Sequence, residues 1–167
     1  MHAFRGVDHA VLTVTDLDRS EEFYWGVLGF LPVMDFGYGR ILVDRQSGFS
    51  LGIVTHEGAR GGRFTELTTG LDHLGLAAES RDELLEWEEV FRARGVEFTP
   101  VRDMELAYHL NFRDPDNIAL ELSSSNELMI AARSALASGQ TGPADIAAFI
   151  TEHLGSDFVV RQPTATG

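Results

Sequence analysis

The stretch GVDHAVL at residues 6–12 returns in altered form as GLDHLGL at residues 70–76. Both copies are apolar and rich in residues that favour β-strands, and each contains an Asp-His pair that ends in His9 or His73. An acidic helix start follows each copy, and the helix then ends at a glycine. Self-similarity at this spacing predicts an internal duplication in which each half carries one imidazole at an equivalent point.

The composition is that of one ordinary globular domain or of two small modules that share a core. The chain has 167 residues, of which 44% are hydrophobic and 10% aromatic. It contains no cysteine, which excludes disulfides, thiolate metal ligands and cysteine nucleophiles. All 13 basic residues are arginines, so Schiff-base chemistry and a phosphate-binding P-loop lysine are excluded as well.

Charge and hydropathy indicate a soluble protein. A formal net charge of −13 disfavours binding to nucleic acid and to anionic lipid. No apolar run approaches the roughly 20 residues of a membrane span, and no signal peptide is recognisable. We therefore expect a cytoplasmic protein that binds neither nucleic acid nor membranes.

The first half of the chain has the pattern β-α-β-β-β. Residues 7–14 show the pattern of a buried strand, and an acidic helix signal follows in which Asp18 stands three residues before Glu21. Gly29 ends that helix. Glycine-containing turns then separate three strand-like runs, at residues 30–36, 40–44 and 49–55. These elements define a first module at residues 1–56.

The second half repeats this pattern after a glycine- and arginine-rich linker at residues 57–70. A strand at residues 71–78 precedes a capping box that starts at Ser80, and Gly95 ends the helix that follows. Three strands are predicted next, at residues 96–101, 106–113 and 118–123. The second module therefore spans residues 71–124.

Residues 125–167 lie outside the duplication and predict a helical extension with a short tail. Capping residues precede a first helix, and Pro143 fits the first turn of a second helix that runs to Leu154. Both helices carry apolar residues that need a surface to cover. A structural brace is favoured over a lid on a binding site, because neither helix carries a recognisable catalytic group.

Strand periodicity places the two histidines on faces that carry mostly small residues. Side chains two positions apart on a strand share a face. The faces that hold His9, His73 and the strand carboxylate Glu121 also hold Val11, Thr13, Gly75, Ala77 and Ala119. Small residues leave space for a ligand beside the imidazoles and the carboxylate.

These phrases resemble the vicinal oxygen chelate superfamily, which includes glyoxalase I, bleomycin-resistance proteins, fosfomycin-resistance enzymes and extradiol dioxygenases. The matching stretches are residues 8–20, 23–24, 28–30, 70–73 and 112–122. The resemblance implies an α+β fold in which two tandem βαβββ modules form a cupped eight-stranded mixed sheet. It covers about residues 4–124 and is specific for the superfamily, not for one reaction.

The resemblance also implies a divalent metal ion in the cup, held by side chains from the first and last strands of each module. His9, His73 and Glu121 match three of these ligand positions. The fourth falls on Gly52, where a usual glyoxalase I carries Glu or Gln. Two imidazoles and one carboxylate suit Fe, Mn, Zn, Ni or Co as the divalent ion, and they leave positions open for water or substrate.

Two further positions separate this chain from known three-ligand members. Extradiol dioxygenases place a tyrosine ten residues before the ligand glutamate, where this chain has Asn111. Fosfomycin-resistance enzymes place an arginine nine residues after it, where this chain has Ile130. His109 and Asn111 share one strand face and are the candidate catalytic residues, with an ordinary polar sheet edge as the alternative.

The leading hypothesis is a divalent-metal-dependent enzyme of the glyoxalase or dioxygenase type that acts on a small oxygen-chelating organic substrate. The alternative is a metal-free binding protein that sequesters a natural-product toxin, in the manner of bleomycin-resistance proteins. Family members often complete the cup by pairing modules. We therefore expect a homodimer, in which the linker decides whether modules are exchanged between subunits.

Overall fold

Two β-α-β-β-β modules follow one another in the computed structural model, which describes residues 6–59, 61–139 and 142–155. The first module consists of β1 (His9–Thr13), α1 (Leu17–Gly26), β2 (Leu31–Asp35), β3 (Gly39–Val43) and β4 (Ser50–Val54). The second consists of β5 (Leu74–Ala77), α2 (Arg81–Arg94), β6 (Arg102–Asp103), β7 (Ala107–Arg113) and β8 (Ala119–Ser125). Two helices follow, α3 (Glu127–Ala137) and α4 (Pro143–Leu154).

The strands form two four-stranded mixed sheets with the same topology. Their strand orders are β1-β4-β3-β2 and β5-β8-β7-β6. In each sheet the first strand of the module pairs in parallel with the last, and the other pairs are antiparallel. This shared topology confirms the tandem βαβββ fold, and it leaves β1 and β5 at sheet edges.

Local capping groups determine where the module helices begin and end. Asp16, two residues before the predicted signal at Asp18, caps α1 by accepting hydrogen bonds from backbone N–H groups of the first turn. Ser80 caps α2 as predicted, because its hydroxyl oxygen accepts a hydrogen bond from Glu83 N at 3.1 Å. Gly95 ends α2 with φ 66°, a left-handed conformation that glycine adopts without steric cost.

One strand differs from the sequence prediction. The sequence predicts a strand over residues 96–101, whereas β6 is confined to Arg102–Asp103. The predicted segment still runs beside β7, where Phe98 forms an isolated bridge with Phe112. Pro100 has no backbone N–H to donate, so a continuous ladder cannot form through this position.

One apolar core joins the two modules. Phe23 of α1 reaches the second module, where its ring centroid lies 6.5 Å from that of Phe112. The core residues come from both sheets and from α1 and α2: Leu12, Val14, Phe23, Tyr24, Phe30, Leu42, Leu51, Ile53, Leu84, Phe91, Leu110, Phe112, Ile118, Leu120 and Leu122. Burial of this apolar surface is the main free-energy term that holds the modules together.

Two buried aspartates of the turn between β7 and β8 add polar links between the modules. Asp116 accepts a hydrogen bond from Thr15 N at 2.8 Å and lies 2.7 Å from the Arg19 guanidinium. The Tyr24 hydroxyl donates to Asp114 at 3.0 Å. Burial raises the pKa of Tyr24 well above its ordinary value, and burial also raises the pKa of Asp114.

The two C-terminal helices are present as predicted. Asn126 caps α3 and also donates to Glu105 O at 2.9 Å, which anchors the start of this helix to the second module. Among the described residues, no helix is long and apolar enough to cross a membrane. The rest of the predicted extension, residues 156–167, lies outside the described part of the chain.

Candidate metal centre

Each sheet has one face toward the core and one open face that carries the predicted ligands. On β1, Leu12 is buried whereas His9 and Val11 are exposed. His73, immediately before β5, is exposed, and so are Gly75 and Ala77, which alternate with it along the strand. We call the open face that carries His9 in the first sheet, and the face that carries Glu121 in the second, the cup faces.

Glu121 is the centre of a polar cluster on the second cup face. Its Oε1 lies 4.0 Å from His73 Nε2, and its Oε2 lies 2.8 Å from His109 Nδ1. The residue is only 8% exposed. Burying a carboxylate costs free energy unless polar partners compensate, and a contact as short as that with His109 is favourable only when Nδ1 carries a proton.

Gly75 provides the space in front of this carboxylate. It pairs with Glu121 across β5 and β8, so the two residues lie side by side. A Cβ atom at Gly75 would stand 3.8 Å from Glu121 Oε1, and a longer side chain there would cover the oxygen. The small-residue lining predicted from the sequence therefore leaves Oε1 uncovered on the side of Gly75.

The aspartate before each histidine lies against Nδ1 of the imidazole and favours the tautomer with a proton on that nitrogen. Asp72 Oδ1 lies 2.7 Å from His73 Nδ1, and Asp8 Oδ2 lies 2.8 Å from His9 Nδ1. An ionised carboxylate only accepts hydrogen bonds, so Nδ1 donates and Nε2 keeps its lone pair in the neutral ring. A ring held this way presents Nε2 to a metal ion. In the sequence the repeated Asp-His pair indicates duplication, and it gives no sign of this role of the aspartates.

His9 does not join the other two predicted ligands within one chain. It lies on the first sheet with its side chain 58% exposed. Within the described ranges, no three His, Asp or Glu side chains are arranged to hold a metal ion. The structure therefore brings His73 and His109 to the two oxygens of Glu121, and it leaves His9 on the other cup face.

The donor atoms on the second cup face fit part of a divalent metal site. Bonds from imidazole nitrogen and carboxylate oxygen to such ions are about 2.0–2.2 Å long, so neighbouring donor atoms around one ion lie about 3.0–3.5 Å apart. His73 Nε2 and Glu121 Oε1 are 4.0 Å apart, and a shift of about 0.5–1 Å would bring them to this separation. The contact with His109 holds the other carboxylate oxygen. A third protein ligand would complete the predicted set.

The fourth ligand position is closed by packing. Gly52 pairs with Val11 across β1 and β4. A Cβ atom at Gly52 would stand 3.1 Å and 3.3 Å from the two γ-carbons of Val11, closer than most Cβ contacts in proteins. The valine side chain thus covers the position where a four-ligand relative carries its acidic or amide group.

Asn111, the second candidate catalytic residue, lies beside the cluster. It pairs with Glu121 across β7 and β8, so the two side chains share the cup face, and it is half-buried. The structure therefore places both candidates next to the carboxylate, with His109 in direct contact and Asn111 alongside.

A cleft of about 680 Å³ runs along β1. Its walls include Val11 and Thr13 on the cup face and the connecting segment that contains His56 and Arg63. His73, His109 and Glu121 are not part of its lining. The open face of the first sheet therefore continues into a cleft that is separate from the cluster on the second sheet.

Comparison with known proteins assigns the family. A family model described as the Glyoxalase/Bleomycin resistance protein/Dioxygenase superfamily matches residues 6–122. The structure resembles the glyoxylase/bleomycin resistance protein/dioxygenase domain from Frankia sp. EAN1pec, with 34% sequence identity and a TM-score of 0.68, over 74% of this chain and 100% of that one. No curated protein matches the chain.

More distant solved structures share the fold. FosX, the fosfomycin resistance protein from Listeria monocytogenes, in complex with Mn(II) and sulfate is 22% identical, with a TM-score of 0.61 over 79% of this chain and 99% of that one. An integron cassette protein from the mobile metagenome of the Halifax Harbour sewage outfall is 21% identical, with a TM-score of 0.61 over 72% and 99%. The family match over residues 6–122, together with the likeness to the 34% identical Frankia domain, shows that the chain belongs to the glyoxalase/bleomycin resistance protein/dioxygenase superfamily.

Proposed function

We propose that this protein is a divalent-metal-dependent enzyme that acts on a small oxygen-chelating organic substrate. The metal ligands would be His73 and Glu121 of one subunit and His9 of the partner subunit in a homodimer. The cytoplasmic location expected from the sequence remains a prediction.

The observation that carries this proposal is the arrangement around Glu121. A buried carboxylate points one oxygen at His109 and leaves the other facing His73 Nε2 at 4.0 Å. The neighbouring aspartate leaves that nitrogen with a free lone pair. Asp72 therefore orients His73, and His109 orients Glu121. Metal-ligating side chains typically have supporting partners of this kind.

The dimer follows from the position of His9. Its imidazole is prepared by Asp8 in the same way as His73 is by Asp72, yet it lies on a separate, open cup face. That face also exposes apolar side chains, with Val11 52% and Met34 51% exposed. A second subunit whose second module packed over this face would bury that surface and bring His9 to the partner's cluster.

The chain's own residues then have distinct roles. A bound divalent ion would supply Lewis-acid activation of a chelated substrate oxygen. His109 would hold the ligand carboxylate, and its ring is the nearest candidate for proton transfer. Asn111 would stand beside the substrate as a neutral hydrogen-bonding group.

Metal analysis of the purified protein tests the proposal. We expect the wild type to elute from gel filtration as a dimer with about one divalent ion bound per subunit. Glu121→Ala should lose most of that metal. Asp82→Ala removes an exposed acid from the first turn of α2 and is the matched control. Wild-type protein that takes up no divalent ion from solutions of Fe(II), Mn(II), Zn(II), Ni(II) or Co(II) would overturn the proposal.

The apolar cup face of the first sheet supports a second candidate, a metal-free protein that sequesters a natural-product toxin. Val11, Met34 and Ile41 offer a hydrocarbon surface that needs no metal ion to bind an apolar ligand. The same metal analysis separates the candidates. Binding of an aromatic ligand that is unchanged in Glu121→Ala would favour sequestration.

A further inference from the structure

An arginine stands in the polar row that crosses the second cup face. Ala77 of β5 pairs with Ser123 of β8, Ser123 with His109 of β7, and His109 with Arg102 of β6. Directly paired residues on neighbouring strands project to the same face of a sheet. Arg102 is therefore beside His109, on the face that carries Glu121.

The neighbouring pair confirms this alternation. Asp103 pairs with Tyr108, and both belong to the opposite face of the sheet. Arg81 of α2 lies 3.0 Å from the Asp103 carboxylate and 5.8 Å from the centre of the Tyr108 ring. These contacts occupy the helical side of the sheet, so the Arg102 side chain is directed to the open side.

Arg102 differs from Arg113, the other arginine on this cup face, in its charge environment. Arg113 lies on the same cup face, but the Glu66 carboxylate neutralises it at 2.7 Å. Six described arginines form ion pairs: Arg19, Arg40, Arg63, Arg81, Arg92 and Arg113. Arg102 is exposed and has no carboxylate within 4.0 Å among the described residues. It is an uncompensated cation in a chain with a net charge of −13.

The first cup face has the opposite chemistry. Val11 pairs with Gly52, Gly52 with Ile41, and Ile41 with Met34, so one row across all four strands carries no charge. The outer members of this row, Val11 and Met34, are half-exposed. A substrate held between the two cup faces would meet hydrocarbon on one side and a row of hydrogen-bonding groups and one cation on the other.

We propose that Arg102 binds an oxyanion of the substrate and determines specificity for it, and that the substrate joins this anionic group to an apolar body. This inference rests on the proposed function, because it treats the two cup faces as walls of one site. A guanidinium presents a planar pair of N–H donors that matches a carboxylate, and charge-assisted bonds of this kind are about twice as strong as neutral ones. The substrate class is thus an oxygen-chelating compound with a carboxylate or similar group, and not a neutral diol or ketone.

Benzoate and benzamide are suitable probes, since they share the ring and the size and differ in charge. Titration of each, followed by NMR, would be done on the protein as purified and after removal of metal with a chelator. We expect wild-type protein to bind benzoate about tenfold more tightly than benzamide in both states. In the metal-free protein, where no ion can bind the carboxylate, Arg102→Gln should abolish this preference. Arg102→Lys should retain part of it, because the lysine ammonium keeps the charge but lacks the paired N–H donors.

Arg94→Gln is the matched control, because Arg94 is another exposed arginine without an ion pair in the described structure, placed in the last turn of α2. It should bind both probes like the wild type. A metal-free wild type that does not discriminate between the probes, or a metal-free Arg102→Gln variant that keeps the full preference, would overturn the inference. If the Arg102→Gln variant does not fold, the partial loss of preference expected for Arg102→Lys tests the inference instead. Mn(II) binding should be unchanged in either Arg102 variant, so a failed anion site is distinguishable from a failed metal site.

Discussion

His109 Nδ1 lies 2.8 Å from Oε2 of the buried Glu121 carboxylate, and the other carboxylate oxygen faces His73 Nε2. The two residues come from adjacent strands, β7 and β8, whose ladder sets their separation. Glu121 is only 8% exposed, so little water can hydrogen-bond its carboxylate, and the orientation of the free oxygen depends on this imidazole. His109 therefore acts on the proposed metal site through the ligand it holds.

Replacing His109 with Ala should weaken Mn(II) binding about 10- to 100-fold, the usual effect of losing a group that orients a metal ligand. Isothermal titration with Mn(II) measures the change. Tyr108→Phe alters the other face of the same strand and should bind Mn(II) like the wild type. Equal Mn(II) affinity in His109→Ala and wild type would show that His109 does not position Glu121.

Replacing Asp72 with Ala should weaken Mn(II) binding about tenfold, because the His73 ring loses the acceptor that keeps the proton on Nδ1. The proton then distributes between the two ring nitrogens, and the nitrogen that faces Glu121 is less available. NMR of the imidazole nitrogens reports the tautomer directly. A His73 ring that keeps its proton on Nδ1 in this variant would contradict the explanation.

Gly52→Ala should lower the free energy of unfolding by about 1–3 kcal/mol, because the added Cβ atom crowds the γ-carbons of Val11. Adding Val11→Ala should relieve the crowding, so the double variant is more stable than the sum of the single effects predicts. Gly75→Ala is the control, since its Cβ would meet Glu121 Oε1 at an ordinary 3.8 Å. Additive effects in chemical denaturation would contradict direct crowding.

Tyr24→Phe should make the free energy of unfolding less dependent on pH above pH 10. Burial, followed by the charge of Asp114, raises the pKa of Tyr24 in the folded protein above 10.0, its ordinary value. Its contribution to stability is therefore complete below about pH 10 and is lost as the pH rises toward the folded-state pKa. The phenylalanine variant lacks this alkaline loss, although below pH 10 it should be less stable by about 1–3 kcal/mol because Asp114 loses a hydrogen-bond donor.

Urea denaturation between pH 7 and pH 11 measures this dependence, and the amino-acid composition limits the contribution of other titrating groups. The chain has three tyrosines, no lysine and no cysteine, so few other groups titrate in this range. Tyr38→Phe, at an exposed position, should follow the wild-type curve. Parallel curves for wild type and Tyr24→Phe would show that burial does not raise the pKa of the Tyr24 hydroxyl.

The sequence predicts the duplicated fold well because periodicity and capping are local properties. Alternation on β1 places His9 opposite the buried Leu12, and Ser80 and Gly95 mark the ends of α2. The position of β6 is not predicted, since its two residues pair with β7 only after Pro100 interrupts the preceding segment.

The candidate site is predicted less completely because its geometry depends on contacts between distant residues. The repeat identifies His9 and His73, but not that they lie on separate sheets of one chain. The link between Tyr24 and Asp114 spans 90 positions and has no local sequence signal. The sequence shows the repeated Asp-His pair, but only the ring orientations show that Asp8 and Asp72 contact Nδ1 of the histidine that follows each of them.

A mixed dimer of His9→Ala and Glu121→Ala tests most directly whether the metal site is shared between subunits. Each variant alone lacks a ligand at both sites of its homodimer. In the mixed dimer, His9 of the Glu121→Ala subunit meets His73 and Glu121 of the other subunit, so one intact site returns. A mixed dimer of His73→Ala and Glu121→Ala is the control, since both sites stay damaged there. Mn(II) titration of tagged, purified mixed dimers should give about one ion per dimer for the first pair and about none for the control. A first pair that binds no more Mn(II) than the control would contradict the shared site.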